Sequence, residues 1–310
     1  RDFSSDSTSG VKNKGKYLAL TERGTMNADK RLTGIDHLRE LGITHVHLLP
    51  SYDYASVDET KLEEKQYNWG YDPAQYNVPE GSYCSDPNDG YSRVLECKEM
   101  IARLHRHGLR VIMDVVYNHM YDVNASPFER IVPGYYFRKN MDGTLSNGSW
   151  CGNDLESCNY MVRKYIIDMS RRWQSFYGVD GYRFDLMGII DIETINQVYQ
   201  ICHSYDKSFM VYGEGWNMPT SLPDDQKAMQ FNHYKMPNIS FFNDEFREVI
   251  KGGSSDGVLV NKGFITGNLY ETERARNCIM ACNRYTSPDQ SINYVECHDN
   301  ATIFDKLYIS

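Results

Sequence analysis

Apolar positions along the chain fall into two alternating patterns. Behind Thr33, which can cap a helix, Ile35, Leu38 and Leu41 recur at helical spacing until Gly42 closes the run. The next run, 44–50 (THVHLLP), is short, apolar and stopped by Pro, as a strand is. The alternation then repeats. A helix is predicted over 92–107, closed by Gly108, and a nearly continuous apolar strand over 110–118, as expected when both faces are covered. A helix over 159–177, closed by Gly178, precedes a strand over 181–187; a helix over 191–205 precedes a strand over 208–216. A strand over 238–242, helices over 244–251 and 271–284 and a strand over 291–298 complete the pattern. Segments 1–32, 51–90, 119–158 and 252–268 read as loops.

Strand alternates with helix and no hairpin signal appears, which is the pattern of a parallel sheet. Loops after strands are long and rich in polar and aromatic residues; loops after helices are short and often contain Gly. That asymmetry predicts an α/β fold of the (β/α)8 TIM-barrel class, with its site at the C-terminal ends of the strands. No GxGxxG or Walker segment follows a strand, which argues against an open nucleotide-binding sheet.

Composition changes this picture little. With 310 residues and 41% hydrophobic residues, one large single-core domain is expected. The net charge of −9 argues against nucleic acid as a partner. The 24 Tyr and 4 Trp suit stacking on sugars and suit an ordinary core equally well. Eight Cys form no CxxC pair, which argues against a zinc ribbon, and Cys278 and Cys282 fit helical packing better than a metal pair. This usage favours a reducing, cytoplasmic compartment, and no apolar run is long enough to span a membrane.

The chemistry gathers at strand ends. Asp114 with Asn118-His119, Arg183 with Asp185, Glu214, and His298-Asp299 close four of the predicted strands. On the strand 181–187, Arg183 and Asp185 share one face and Tyr182 and Phe184 the other. A cation beside a carboxylate keeps it ionised, which suits a nucleophile; a structural ion pair has the same pattern. Glu214 lies between glycines and beside Trp216, a less polar setting that favours the protonated acid. Asp299 is a third carboxylate able to hold sugar hydroxyls. His119 and His298 are hydrogen-bond donors whose ordinary reading is as satisfied core histidines. Paired carboxylates serving as acid and nucleophile are the equipment of glycoside cleavage.

Four segments, 114–119 (DVVYNH), 181–185 (GYRFD), 213–216 (GEGW) and 298–300 (HDN), resemble in this order the conserved segments of the α-amylase superfamily of glycoside hydrolases. The stretch 67–73 (YNWGYDP) resembles the signature of the type I pullulanases within it, and 14–17, 77–81, 132–136 and 183–188 read the same way. The resemblance implies a retaining hydrolase of α-1,6 branch links in pullulan, glycogen or starch fragments. It makes Asp185 the nucleophile, Glu214 the general acid/base and Asp299 the transition-state stabiliser. Tyr71 becomes a stacking platform, and Asp72, Asp114, His119, Arg183, Trp216 and His298 further substrate contacts. No cofactor and no catalytic metal are implied, and a structural calcium is not indicated. The partner is a branched α-glucan or oligosaccharide, with neither nucleic acid nor membrane.

Two departures stand out. Cys297 precedes His298 where the family usually has Ser or Asn. The first and last strands of the barrel also find no match, so the chain reads as an internal part of one catalytic domain, without the family's flanking β-sandwich modules. Three other readings of the sequence compete with this one. His45 and His47 share a strand face, as in metal-dependent amidohydrolases, but the rest of such a ligand set is missing. A non-catalytic glucan-binding barrel would normally have lost one of Asp185, Glu214 or Asp299. Isoamylase and branching enzymes are argued against by the 67–73 stretch.

Overall fold

A computed structural model describes residues 2–64, 66–255, 257–280 and 284–310. The predicted alternation builds one sheet of six parallel strands: β1 (His45–Leu48), β4 (Arg110–Val115), β5 (Gly181–Phe184), β6 (Met210–Gly213), β7 (Ser240–Phe242) and β8 (Ser291–Ile292). Their order in the sheet follows their order in the chain, as in a (β/α)8 barrel. The barrel is incomplete: β1 and β8 are the two edges and do not pair with each other. The register sets Asp114 beside Arg183, and Arg183 beside Tyr212.

The strands order themselves by burial. Every residue of β5 is buried, and on the helix side Tyr182 and Phe184 are fully so, as the alternation predicts. Burying such an aromatic stabilises the fold by roughly 1.5–3 kcal/mol. Tyr182 also donates its hydroxyl to the Ser170 carbonyl in the helix Tyr160–Arg172, so its polar end is satisfied. That helix buries Val162 and Ile166, runs into a π turn at Trp173–Tyr177, and stops at Gly178, whose φ of 87° favours glycine. The helix Gly90–Arg106 buries Cys97, Met100, Ile101 and Leu104. The helix Ile192–Tyr205 is capped by Asp191, which accepts from the Thr194 amide at 3.0 Å. β1, at an edge, is only partly buried, and an apolar cavity of about 430 Å³ lies along it, lined by Tyr17, Leu20, Leu38, Val46 and Leu48 among others.

Three expectations need correction. The segment 51–90 is no plain loop: β2 (Tyr52–Tyr54) and β3 (Pro73–Pro79) pair antiparallel within it. Their long connection carries no two-residue turn signal, and prolines at both ends of β3 hide a strand. The last strand is two residues rather than eight, because β8 has a partner on one side only. The helix predicted over 271–284 is Thr272–Ile279 after a 3-10 turn, and the Cys278/Cys282 spacing falls partly outside the described residues.

Candidate active site

The register alone brings the strand-end chemistry together. Arg183 is 2% exposed and reaches three carboxylates from the inner face of β5. Its Nη1 lies 3.1 Å from Asp114 Oδ1 and 2.8 Å from Asp185 Oδ1, and its Nη2 lies 2.7 Å from Glu214 Oε1. The Arg183–Asp185 pair expected from strand alternation forms, and the same guanidinium also reaches Asp114 and Glu214 from the adjacent strands. One buried cation facing three carboxylates leaves an excess of negative charge, so a proton is favoured within the cluster.

Glu214 is one of two carboxyls, with Asp185, that are pushed toward holding it. Burial and the neighbouring Asp185 push its pKa up to about 7 against the pull of Arg183. The Leu186 amide donates to Glu214 Oε2 at 3.1 Å, and Leu186 adopts a left-handed backbone (φ 41°) to do so. A non-glycine residue in that region next to reactive groups is a mark of a functional site. The glycines flanking Glu214 have steric causes: a Cβ on Gly213 would lie 2.5 Å from the Phe184 carbonyl, and one on Gly215 would lie 2.5 Å from the Phe241 ring.

Asp185 takes Arg183 on one oxygen and Asn118 on the other, whose Nδ2 donates at 2.8 Å. Burial and the charge of Asp114 nevertheless raise its pKa, against the pull of Arg183 and Asn118. Asp114 is held below the ordinary carboxylate range despite full burial, chiefly by Arg183 and then by His47 and Tyr71. Tyr71 donates to Asp114 Oδ2 at 2.6 Å, its ring is stacked on His298 at 5.2 Å, and His298 Nε2 lies 2.9 Å from the Tyr71 hydroxyl. His119 is buried, and burial lowers its pKa to about 4, so it is neutral at physiological pH.

The remaining predicted residues lie further from this core. Asp299 is 44% exposed in its side chain, 3.6 Å from His298, and its charge contributes to raising Glu214. Trp216 is half-buried on the segment after β6, its carbonyl packed against Gly188. Asp72 accepts from the Ser56 amide at 2.7 Å and so braces its own loop. A cavity of about 350 Å³ runs beside the cluster, lined by Arg183, Glu214, Phe242, Tyr294, Cys297 and His298 among others.

Three participants escape a reading of the sequence. Asn118 stands in the sequence only as part of a motif, and its position just before His119 is the available signal. His47, weighed as half of a metal pair, lies 3.6 Å from Asp114 and 3.2 Å from the Tyr212 hydroxyl instead. Asp154, with no exposed surface, gathers Ser146 Oγ, the amides of Gly148 and Ser149, and Thr220 Oγ1 at 2.6–2.9 Å. No sequence signal marked it. Among the described residues, one group of carboxylates has metal-like spacing, Asp53, Glu59 and Glu80, away from this site. The Arg93 guanidinium contacts two of the three and supplies the compensating charge.

Residues 29–140 match the catalytic domain of the α-amylase family. The pullulanase of Bacillus subtilis is 46% identical over 99% of this chain, which covers 43% of that protein. The chain is a pullulanase homologue. Pullulanase 1 of Arabidopsis thaliana chloroplasts is 34% identical over 98% of the chain, which covers 40% of it. In structure, Paenibacillus barengoltzii pullulanase in complex with maltohexaose and α-cyclodextrin superposes with a TM-score of 0.96 at 47% identity, over 99% of this chain and 49% of that one. Anoxybacillus sp. LM18-11 pullulanase with maltotetraose gives 0.97 at 47% identity, over 100% and 45%. This homologue therefore spans about half the length of the pullulanases it matches. A rice chloroplast isoamylase matches at 28% identity.

Proposed function

We propose that this chain forms the catalytic part of a retaining α-1,6-glucosidase that debranches pullulan, glycogen or starch-derived glucans, with all 310 residues in one barrel domain. The observation that carries the reading is the buried Arg183 joining Asp114, Asp185 and Glu214 at adjacent strand ends. The pullulanase relatives and the maltooligosaccharides bound by solved neighbours support the substrate class.

In this reading the Asp185 carboxylate attacks the anomeric carbon as Glu214 gives its proton to the departing C6 oxygen. The glycosidic bond breaks and an Asp185 ester forms. Glu214, now ionised, takes a proton from water, whose oxygen attacks the same carbon and releases Asp185. A Glu214 pKa of about 7 suits both duties. Asp299 holds ring hydroxyls in the transition state. Tyr71 stacks under the sugar, and Asp114, His119, Arg183 and His298 fix the same unit; Trp216 and Asp72 border it. No metal or cofactor takes part.

Incubation of the full chain with pullulan tests this. Maltotriose is the expected product, with Asp185→Asn and Glu214→Gln slower by several orders of magnitude. Pullulan left intact, or wild-type rates in either variant, would refute the reading.

A further inference from the structure

The loop 146–154 follows neither helix nor strand geometry, yet it is among the most tightly held parts of the molecule. Asp154 anchors it through four donors, as described above. Asn153 fastens it to the segment after β4 by exchanging two hydrogen bonds with the Met120 backbone, at 3.0 and 2.7 Å. Gly148 packs against Thr220 of the segment after β6, where a Cβ would lie 2.7 Å from the Thr220 Cβ. The loop thus bridges the segments that leave β4 and β6, and its base reaches the candidate nucleophile through one residue: the Leu155 amide donates to the Asn118 carbonyl at 2.8 Å, and Asn118 Nδ2 donates to Asp185 Oδ2 at 2.8 Å. Cys151 is near enough that, after burial, the charge of Asp185 is the next cause raising its thiol pKa.

At the tip of this loop stands Trp150. Its backbone is left-handed (φ 59°), a genuine outlier for a bulky side chain, and the residue is 70% exposed. Two of the other three tryptophans have structural partners: Trp173 is core, and Trp69 is paired with Tyr67 and His298. Trp150 has no aromatic or cation–π partner among the described residues. Folding alone gives no reason for an indole here. Glycine would relieve the backbone, and a polar residue would suit the exposure. A rigid loop anchored one residue from the candidate nucleophile, with a bare indole at its tip, is organised to present that indole.

We infer that Trp150 is a substrate-contacting residue whose indole stacks on a glucosyl unit of the α-glucan at the rim of the cleft. The inference rests on the reading of the cleft as an α-glucan site. It deepens that reading by naming a contact that neither the strand ends nor the family segments supply.

The test is titration of maltotetraose into the full chain carrying Glu214→Gln to prevent turnover, with and without changes at Trp150. Trp150→Gly should weaken binding about three- to tenfold, and Trp150→Phe should restore most of the loss. In the same Trp150→Gly protein, Tm should be unchanged or higher, because the left-handed backbone is relieved. Unchanged affinity in Trp150→Gly, a Trp150→Phe variant as weak as Trp150→Gly, a lower Tm in Trp150→Gly, or no binding by the parent protein would each overturn the inference. If pullulan stays intact in the wild type while Trp150→Gly still weakens maltotetraose, the hydrolytic reading fails and this one stands.

Discussion

Arg183 is 2% exposed and its two amino groups are committed to Asp114, Asp185 and Glu214. Replacing it with Met would leave buried carboxylates without compensation, and an uncompensated buried charge costs about 3–5 kcal/mol. Chemical denaturation of Arg183→Met should show a loss of that size at neutral pH, and a smaller one in acid, where the carboxylates protonate. Glu214 carries the opposite sign. Its pKa rises on folding from 4.5 to about 7, so ionisation opposes the native state. The associated stability is fully present below pH 4.5 and is lost as pH rises through about 7. Glu214→Gln, which cannot ionise, should therefore have a higher Tm than wild type at pH 8 and lose that advantage below pH 4.5. In the proposed mechanism this is the proton that Glu214 donates, so kcat/KM should fall as pH rises through about 7.

At the scale of elements, the site depends on glycines that let strands approach and on a loop that a buried carboxylate keeps closed. Gly213→Ala would bring a Cβ to 2.5 Å from the Phe184 carbonyl and should cost about 1–3 kcal/mol by thermal denaturation. Asp154→Ala removes the acceptor of four donors, each within 2.9 Å. Buried donors left unpaired should cost about 2–4 kcal/mol in total. The helices and central strands were legible because their apolar periods are long and bounded by Gly. Arg183, Asp185 and Glu214 were legible because strand alternation and parallel register fix which side chains meet. The β2–β3 pair and Asp154 were not, since both are made by contacts distant in sequence. The Arg183 network was half legible: alternation showed one partner, and only neighbouring strands reveal the other two.

For the whole molecule, six parallel strands carry the C-terminal edge on which the carboxylates converge. Among the described residues no helix is long and apolar enough to cross a membrane. In the proposed mechanism Asp185 forms a covalent bond to sugar while Glu214 manages the proton. The most direct measurement is the mass of the full chain carrying Glu214→Gln after exposure to α-maltotriosyl fluoride. Fluoride leaves without an acid, and without the base the intermediate should persist. A mass gain of one maltotriosyl group is expected on the peptide that contains Asp185. No mass gain, or a gain on a peptide lacking Asp185, would contradict it.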